Sequence, residues 1–326
     1  MRLTMTSLAL CSLVTATLLA VPAFATEGGS GAYLLGSRDS LAGIVPPPGT
    51  YLSVDASYIS GTAPFVAIGG VVTVNPSIEA LVTKVNFTHS FVGKVLGGRL
   101  AVTFTQPIVT GQMTFDGTYG GGLGITVKDS NTGLGDTTVT AGLGFDHGNS
   151  HWALQTSFFL PTGEYAPARV NLQTRSLQVL SFGKNRFAVQ PIVNYTYLNP
   201  RTGFEFSTSW SVLFSARNTI TDYQTAPEVN IEAAVLGHMK SGLAAGVAGY
   251  GYKQLGNDSG SGAEQVQAAY GATTLQAQVF GIGPLVTYST RVGGHSMSFK
   301  VRYSTEFAAR RRVESDVIQG SIAFSF

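Results

Sequence analysis

The sequence predicts an all-β fold: a transmembrane antiparallel β-barrel of about twelve strands, with fourteen as the alternative count. Three observations predict it. Apolar and polar residues alternate in run after run of about 9–14 residues, where a soluble strand averages about 5–6 and a strand tilted across a bilayer needs about 9–11. Charge is scarce, at 12% of 326 residues, while hydrophobic content is an ordinary 44%. Short turn signals alternate with long polar connections, as in barrels with tight turns at one rim and loops at the other. A net charge of +2 and 34 Phe, Tyr and Trp residues argue against a nucleic-acid surface and against a disordered chain.

The elements follow in chain order. Residues 1–25 read as a secretory signal peptide: Arg2, an apolar stretch from Leu8 to Val21, and the small-x-small site Ala23–Ala25. Cys11, the single cysteine, lies within it, so the exported chain would carry no disulfide. No other stretch reaches the ~18 apolar residues of a membrane helix. Residues 26–49 are rich in glycine and end in Pro46, Pro47 and Pro48, which cannot join a central ladder. They form either a plug inside the lumen or a disordered periplasmic tail. Residues 50–326 are the barrel.

Alternation is clean in Leu52–Tyr58, Leu100–Phe104, Val139–Phe145, Trp152–Phe158, Phe187–Tyr197, Phe204–Phe214, Val229–Val235 and Ile318–Phe326. It is mixed around 78–91, 242–254 and 274–288. Thirteen runs can be counted, and single-chain bacterial barrels use even numbers. Residues 172–183 are therefore assigned to a loop or partial strand. Tight turns are expected at 146–149, 199–203, 240–242 and 292–294. Longer connections are expected at "PTGEYAPARVNLQTRS", "RNTITDYQTAP", "NDSGSGAEQ" and "AARRRVESD".

Residues 296–307 decide which face meets which solvent. Met297, Phe299, Val301 and Tyr303 share one face, and Lys300 and Arg302 share the other. A cation on the lipid face near the midplane costs about 2–4 kcal/mol, so the charged face must be the wet interior. Asp55, Gln190, Glu205, Glu232, Lys300 and Arg302 are assigned to that interior, where the two cations can pair with groups such as Glu205, Glu232 or Asp55, the pairs themselves being left open. Tyr250 and Tyr252 are lumen candidates that could stack on an apolar solute. Trp152, Tyr195, Tyr197, Trp210, Tyr288 and Tyr303 fit interfacial girdles. Arg310, Arg311 and Arg312 fit an external loop, as lipid-phosphate ligands or as a solvated charge cluster. The ending Ile322, Phe324, Phe326 is similar to the terminal-strand signal of outer-membrane proteins, which the assembly machinery would read.

"GSRDSLAGIVPPPGTY" (Gly36–Tyr51), "LPTGEY" (Leu160–Tyr165), "TGFEFS" (Thr202–Ser207), "TDYQ" (Thr221–Gln224) and "YGYKQLGNDSGSG" (Tyr250–Gly262) resemble the meta-pathway of phenol degradation family. That family is grouped with outer-membrane transporters of hydrophobic and aromatic compounds. The resemblance implies passive uptake across a bacterial outer membrane, with lipids and small hydrophobic or aromatic solutes as partners and no cofactor. Within residues 26–49, Gly36, Arg38, Ala42, Gly43, Pro46, Pro47, Pro48 and Gly49 are the plug or entry candidates, with Pro46–Gly49 fixing the exit. At Leu172–Phe182 the chain departs from the pattern, where a shorter link is expected.

Enzyme motifs are missing: there is no GxSxG, HExxH or complete phosphate loop. The five histidines are scattered, so no metal site is expected. Asp146, His147 and Ser150 compose a triad only on paper, since a turn of Asp, His, Asn and Ser explains them. Two other functional classes stand beside uptake: a lipid-modifying barrel enzyme, and a structural or surface-interaction barrel.

Overall fold

The computed structural model describes residues 27, 31–62, 66–68, 72–119, 123–167, 169–171, 176–178, 180–270 and 273–326. The expected signal peptide lies outside these residues. The elements are β1 (Gly49–Thr62), β2 (Val66–Ile68), β3 (Val72–Ser90), β4 (Arg99–Tyr119), β5 (Leu123–Leu134), β6 (Thr137–His147), β7 (Ser150–Leu160), β8 (Arg169–Asn171), β9 (Ser176–Gln178), β10 (Ala188–Asn199), β11 (Phe204–Ser215), β12 (Glu228–His238), β13 (Leu243–Gln254), α1 (Ser261–Tyr270), β14 (Gln278–Val292), β15 (His295–Arg310) and β16 (Glu314–Ser325).

Twelve strands close a ring: β1, β3, β4, β6, β7 and β10 to β16 pair antiparallel in chain order, and β1 then pairs β16. Asp55 of β1 faces Lys84 of β3 on one side and Ser321 of β16 on the other. The first and last strands thus seal the sheet, leaving no unpaired edge in the bilayer. β2 and β5 extend the hydrogen-bonded sheet to fourteen strands but pair only with the outer parts of β3 and β4. β9, inside the doubtful segment 172–183, pairs β8 in a separate ribbon. The count is therefore twelve.

The two faces are sorted as the alternation requires. Trp210 is 54% exposed, while its neighbours Ser209 and Ser211 are 2% and 6% exposed. Leu154, Val193, Val247, Val301 and Ile318 stand exposed around the outside, whereas Gln190, Asn194, Thr196, Glu205, Glu232 and Arg302 are buried inside. An apolar exterior around a polar interior inverts a soluble core and suits acyl chains as solvent. Trp152 and Tyr195 pack their rings 4.5 Å apart near one rim, and Tyr288 stacks on Phe299 at 6.4 Å.

The rim with the tight turns also holds the chain end: the Phe326 N–H donates to the Thr50 carbonyl at 2.9 Å. Short turns mark the periplasmic side, so the long connections are external. Two of these differ from expectation. "AARRRVESD" is mostly strand, because β15 continues to Arg310 and β16 starts at Glu314. "NDSGSGAEQ" contains the start of α1, which sequence periodicity does not reveal. Its first turn is fixed from outside the segment: the backbone N–H and Oγ of Ser261 both donate to Asp222 at 2.9 and 2.8 Å. These bonds, with Arg217 beside it, hold the Asp222 carboxyl below its usual range.

Candidate functional site

The barrel interior is not empty. Residues 31–48 run through it from the external loops to the periplasmic rim and leave at Gly49, where β1 begins. Gly36 adopts φ +79°, and Leu41 adopts φ 56° at the turn where the Ile44 N–H donates to the Leu41 carbonyl at 2.9 Å. Gly43 passes so close to the wall that an added Cβ would sit 2.5 Å from both the His151 carbonyl oxygen and the Thr196 nitrogen. The conformation therefore leaves backbone N–H groups and carbonyls pointing at the wall, and the wall supplies their partners.

Buried carboxylates on β11 and β12 take the N–H groups. Glu232 accepts from the Gly36 and Arg38 N–H groups at 2.9 and 2.7 Å and from the Tyr33 hydroxyl at 2.7 Å. Glu205 accepts from the Leu41 N–H at 2.7 Å and the Ser40 hydroxyl at 3.0 Å, and pairs with His238 Nε2 at 2.5 Å. The Gly43 N–H donates to Thr196 Oγ1 at 2.9 Å.

Cations on β3 and β15 take the remaining groups. Lys300 and Arg302 reach Asp39 at 3.0 and 3.5 Å, and Arg302 also donates to the Gly36 carbonyl at 3.1 Å. Lys84 donates to Ser37 at 2.8 Å and lies 3.9 Å from Asp55. Arg38 spans the lumen to Ser157 and Gln190 at 3.3 and 3.2 Å, with its guanidinium 4.2 Å from the Tyr33 ring centroid. At the periplasmic exit Arg99 donates to the Val45 carbonyl at 2.9 Å, Ser90 to that of Pro46 at 2.8 Å and Tyr51 to that of Pro47 at 2.8 Å. Ala42 is half-buried at the turn and Pro48 is exposed just before β1.

The eight lumen candidates all lie on inward positions. The pairing that alternation leaves open is decided here: Lys300 and Arg302 both meet Asp39 of the interior segment. Glu205 and Glu232 are committed to its backbone, and Asp55 is held by Asn86 and Ser321 at 2.7 and 2.5 Å. Asp39, Lys84, Thr196 and His238 were not singled out from sequence. Lys84 shares the polar phase of β3 with Asn86, and that signal was available.

Above this polar zone, towards the external loops, the interior turns apolar. Leu35 packs in one buried cluster with Leu180, Tyr223, Tyr250, Tyr252, Val266, Leu275 and Val279, and Tyr33 packs against it. The ring faces of Tyr250 and Tyr252 belong to this cluster, while their hydroxyls donate to Glu306 and Glu228 at 2.9 and 2.7 Å. Arg312 lies over the Tyr252 ring at 4.7 Å and Arg311 donates to the Gln276 carbonyl at 3.3 Å. Ala308 takes a left-handed φ of 54°, which shifts the strand phase: Ala309 packs inward and Arg310 is exposed.

Among the loops, burial pushes the Lys184 ammonium down to about 8, with Arg186 adding to the effect. The paper triad does not assemble: Asp146 pairs with His151 at 2.6 Å across the β6–β7 turn, and Ser150 Oγ partners the Tyr195 hydroxyl at 3.2 Å.

Residues 62–321 match the family described as "Putative MetA-pathway of phenol degradation". The chain belongs to this family. The match starts after the Gly36–Tyr51 segment, so the interior stretch is read from the structure and the motif alone. No curated protein sequence matches the chain. Among solved structures, the COG4313 outer membrane channel from Pseudomonas putida F1 shares its fold at TM-score 0.62 and 14% identity, with 90% of this chain and 100% of that one covered. The transport unit of the autotransporter AIDA-I from Escherichia coli follows at TM-score 0.48 and 9% identity, covering 91% and 94%. A Pseudomonas aeruginosa FadL homologue gives 0.41 and 9%, covering 95% and 98%. This member of the family has the closed β-barrel fold of an outer-membrane channel.

Proposed function

We propose that this protein is an outer-membrane channel for passive uptake of small hydrophobic or aromatic compounds, with residues 26–49 as its plug. The observation that carries this reading is the apolar cluster at the external end of an otherwise polar lumen, in which Leu35, Leu180, Tyr223, Tyr250, Tyr252 and Leu275 pack together. The Tyr250 and Tyr252 rings now pack within the cluster and under Arg302 and Arg312, and on opening of the cluster they would offer faces on which an aromatic solute stacks. Below the cluster, charge-assisted hydrogen bonds to the interior segment keep the lumen shut until that segment shifts.

The solute moves down its gradient, so no cofactor enters the reading. Residues 1–25 act as a removed export signal, and β16 with its terminal Phe326 as the mark for the assembly machinery. Arg310, on the exposed side of β15, is the arginine of its run offered to lipid phosphates. The test is uptake of radiolabelled toluene or phenol into proteoliposomes. The protein should raise the rate above that of protein-free vesicles, and deletion of residues 31–45 should raise it further. Equal rates with and without protein would sink the reading.

A further inference from the structure

We propose that Tyr165, Arg186, Asn218 and Thr221 form a carboxylate-binding site at the external mouth, filled in this structure by Glu27 and open to the carboxylate of a small aromatic acid when Glu27 leaves. The proposal deepens the uptake reading by naming a solute class, and rests on that reading for its physiological meaning.

Glu27 lies near the start of the interior segment, yet its carboxylate is surrounded by donors from two external loops. Arg186 Nη1 reaches it at 2.6 Å, Asn218 Nδ2 at 2.7 Å and the Tyr165 hydroxyl at 3.3 Å, and the Thr221 hydroxyl donates as well. The site is built rather than incidental. Arg186 and Asn218 are 3% and 0% exposed. The amide of Asn218 is oriented by its own oxygen, which accepts from Asn185 Nδ2 at 2.8 Å and the Ile220 N–H at 3.0 Å. Its Nδ2 also donates to the Tyr165 oxygen at 2.9 Å, so the tyrosine proton is directed to the carboxylate.

A second observation points to a ligand other than Glu27. Arg186 uses one nitrogen on the carboxylate, while its buried Nε and Nη2 have no hydrogen-bond partner among the described residues. A guanidinium is satisfied best by two parallel bonds to one carboxylate. A tethered glutamate meets it with one oxygen, whereas a free carboxylate can turn to take the fork. The ring of such a ligand would lie beside an apolar cluster that must part to admit it. Asn218 exchanges backbone hydrogen bonds with Tyr223 at 2.9 and 3.1 Å, and Tyr223 belongs to the apolar cluster with Leu180 and Leu35. An aromatic acid would set its carboxylate on Arg186 and its ring against that cluster. Its binding would compete with the segment's outer anchor, coupling solute arrival to release.

The test uses the full-length barrel in detergent, with benzoate and benzyl alcohol as probes that share a ring and differ in charge. Affinities come from calorimetry. Glu27→Ala should bind benzoate about tenfold tighter than wild type, one charge-assisted hydrogen bond's worth, with benzyl alcohol unchanged. Adding Arg186→Met should return benzoate to the wild-type value. Unchanged benzoate affinity in Glu27→Ala, or an equal gain for benzyl alcohol, overturns the proposal. Heat-modifiable gel mobility checks that each variant is a folded barrel, and Glu27→Gln repeats the measurement if the alanine variant fails that check. Uptake of neutral toluene is scored separately. Benzoate binding without toluene uptake removes the channel reading alone, and toluene uptake without a Glu27-dependent benzoate site removes this one alone.

Discussion

Two parts of the wall hold the same stretch of interior chain by opposite means. The β11–β12 side presents Glu205 and Glu232, which accept from the Gly36, Arg38 and Leu41 N–H groups. The β3–β15 side presents Lys84, Lys300 and Arg302, which reach Ser37, Asp39 and the Gly36 carbonyl. The acidic side therefore reads mainly backbone, with the Tyr33 and Ser40 hydroxyls beside it, and the basic side reads mainly one side chain. A backbone-reading wall tolerates sequence change in the segment but requires its shape. A wall that reads Asp39 requires that residue and leaves two cations stranded without it.

The largest expected effect breaks the basic side. Asp39→Ala leaves the fully buried Arg302 and its neighbour Lys300 without their carboxylate. Removing one member of a buried pair costs about 3–5 kcal/mol, reduced here because Lys300 touches water in the lumen. The segment should detach, seen as a several-fold rise in single-channel conductance and as new protease cleavage within residues 31–48. A conductance equal to wild type would mean that Asp39 is not an anchor.

A smaller effect is expected on the acidic side. Glu232→Gln keeps one acceptor oxygen but loses the charge that strengthens three hydrogen bonds, each worth about 1.5–3 kcal/mol with a charged partner. Conductance should rise less than in Asp39→Ala, and the double variant should exceed either. If Glu232→Gln opened the lumen further than Asp39→Ala, the ranking of the two walls would be reversed. The smallest effect belongs to Lys84→Met. Lys84 contributes one hydroxyl contact and a 3.9 Å approach to Asp55, with no hydrogen bond among the described residues to Asp39 or to the segment's backbone, so its loss should move conductance less than either change above.

Alternation placed Lys300 and Arg302 inside and Val301 and Tyr303 outside, because a two-residue period maps directly onto two faces. It did not yield Asp39 as their partner, 261 residues from Lys300 in the chain. Nothing local to Asp39 distinguishes it from a loop aspartate. The helix α1 was missed for a related reason: its first turn is fixed by Asp222, 39 residues away. The turn 311–313 looked longer because its charges resemble a loop, yet β15 and β16 extend past the bilayer, where polar strand residues cost little.

The sequence by itself determined the wall: its strands, their inward and outward faces and its need to close, because a bilayer penalises every misplaced charge and unpaired backbone group one residue at a time. Only the tertiary structure decided what fills the wall. Which carboxylate meets which cation, and which side chain meets a backbone N–H, depends on groups brought within a few ångströms from distant parts of the chain, and no local period encodes that distance.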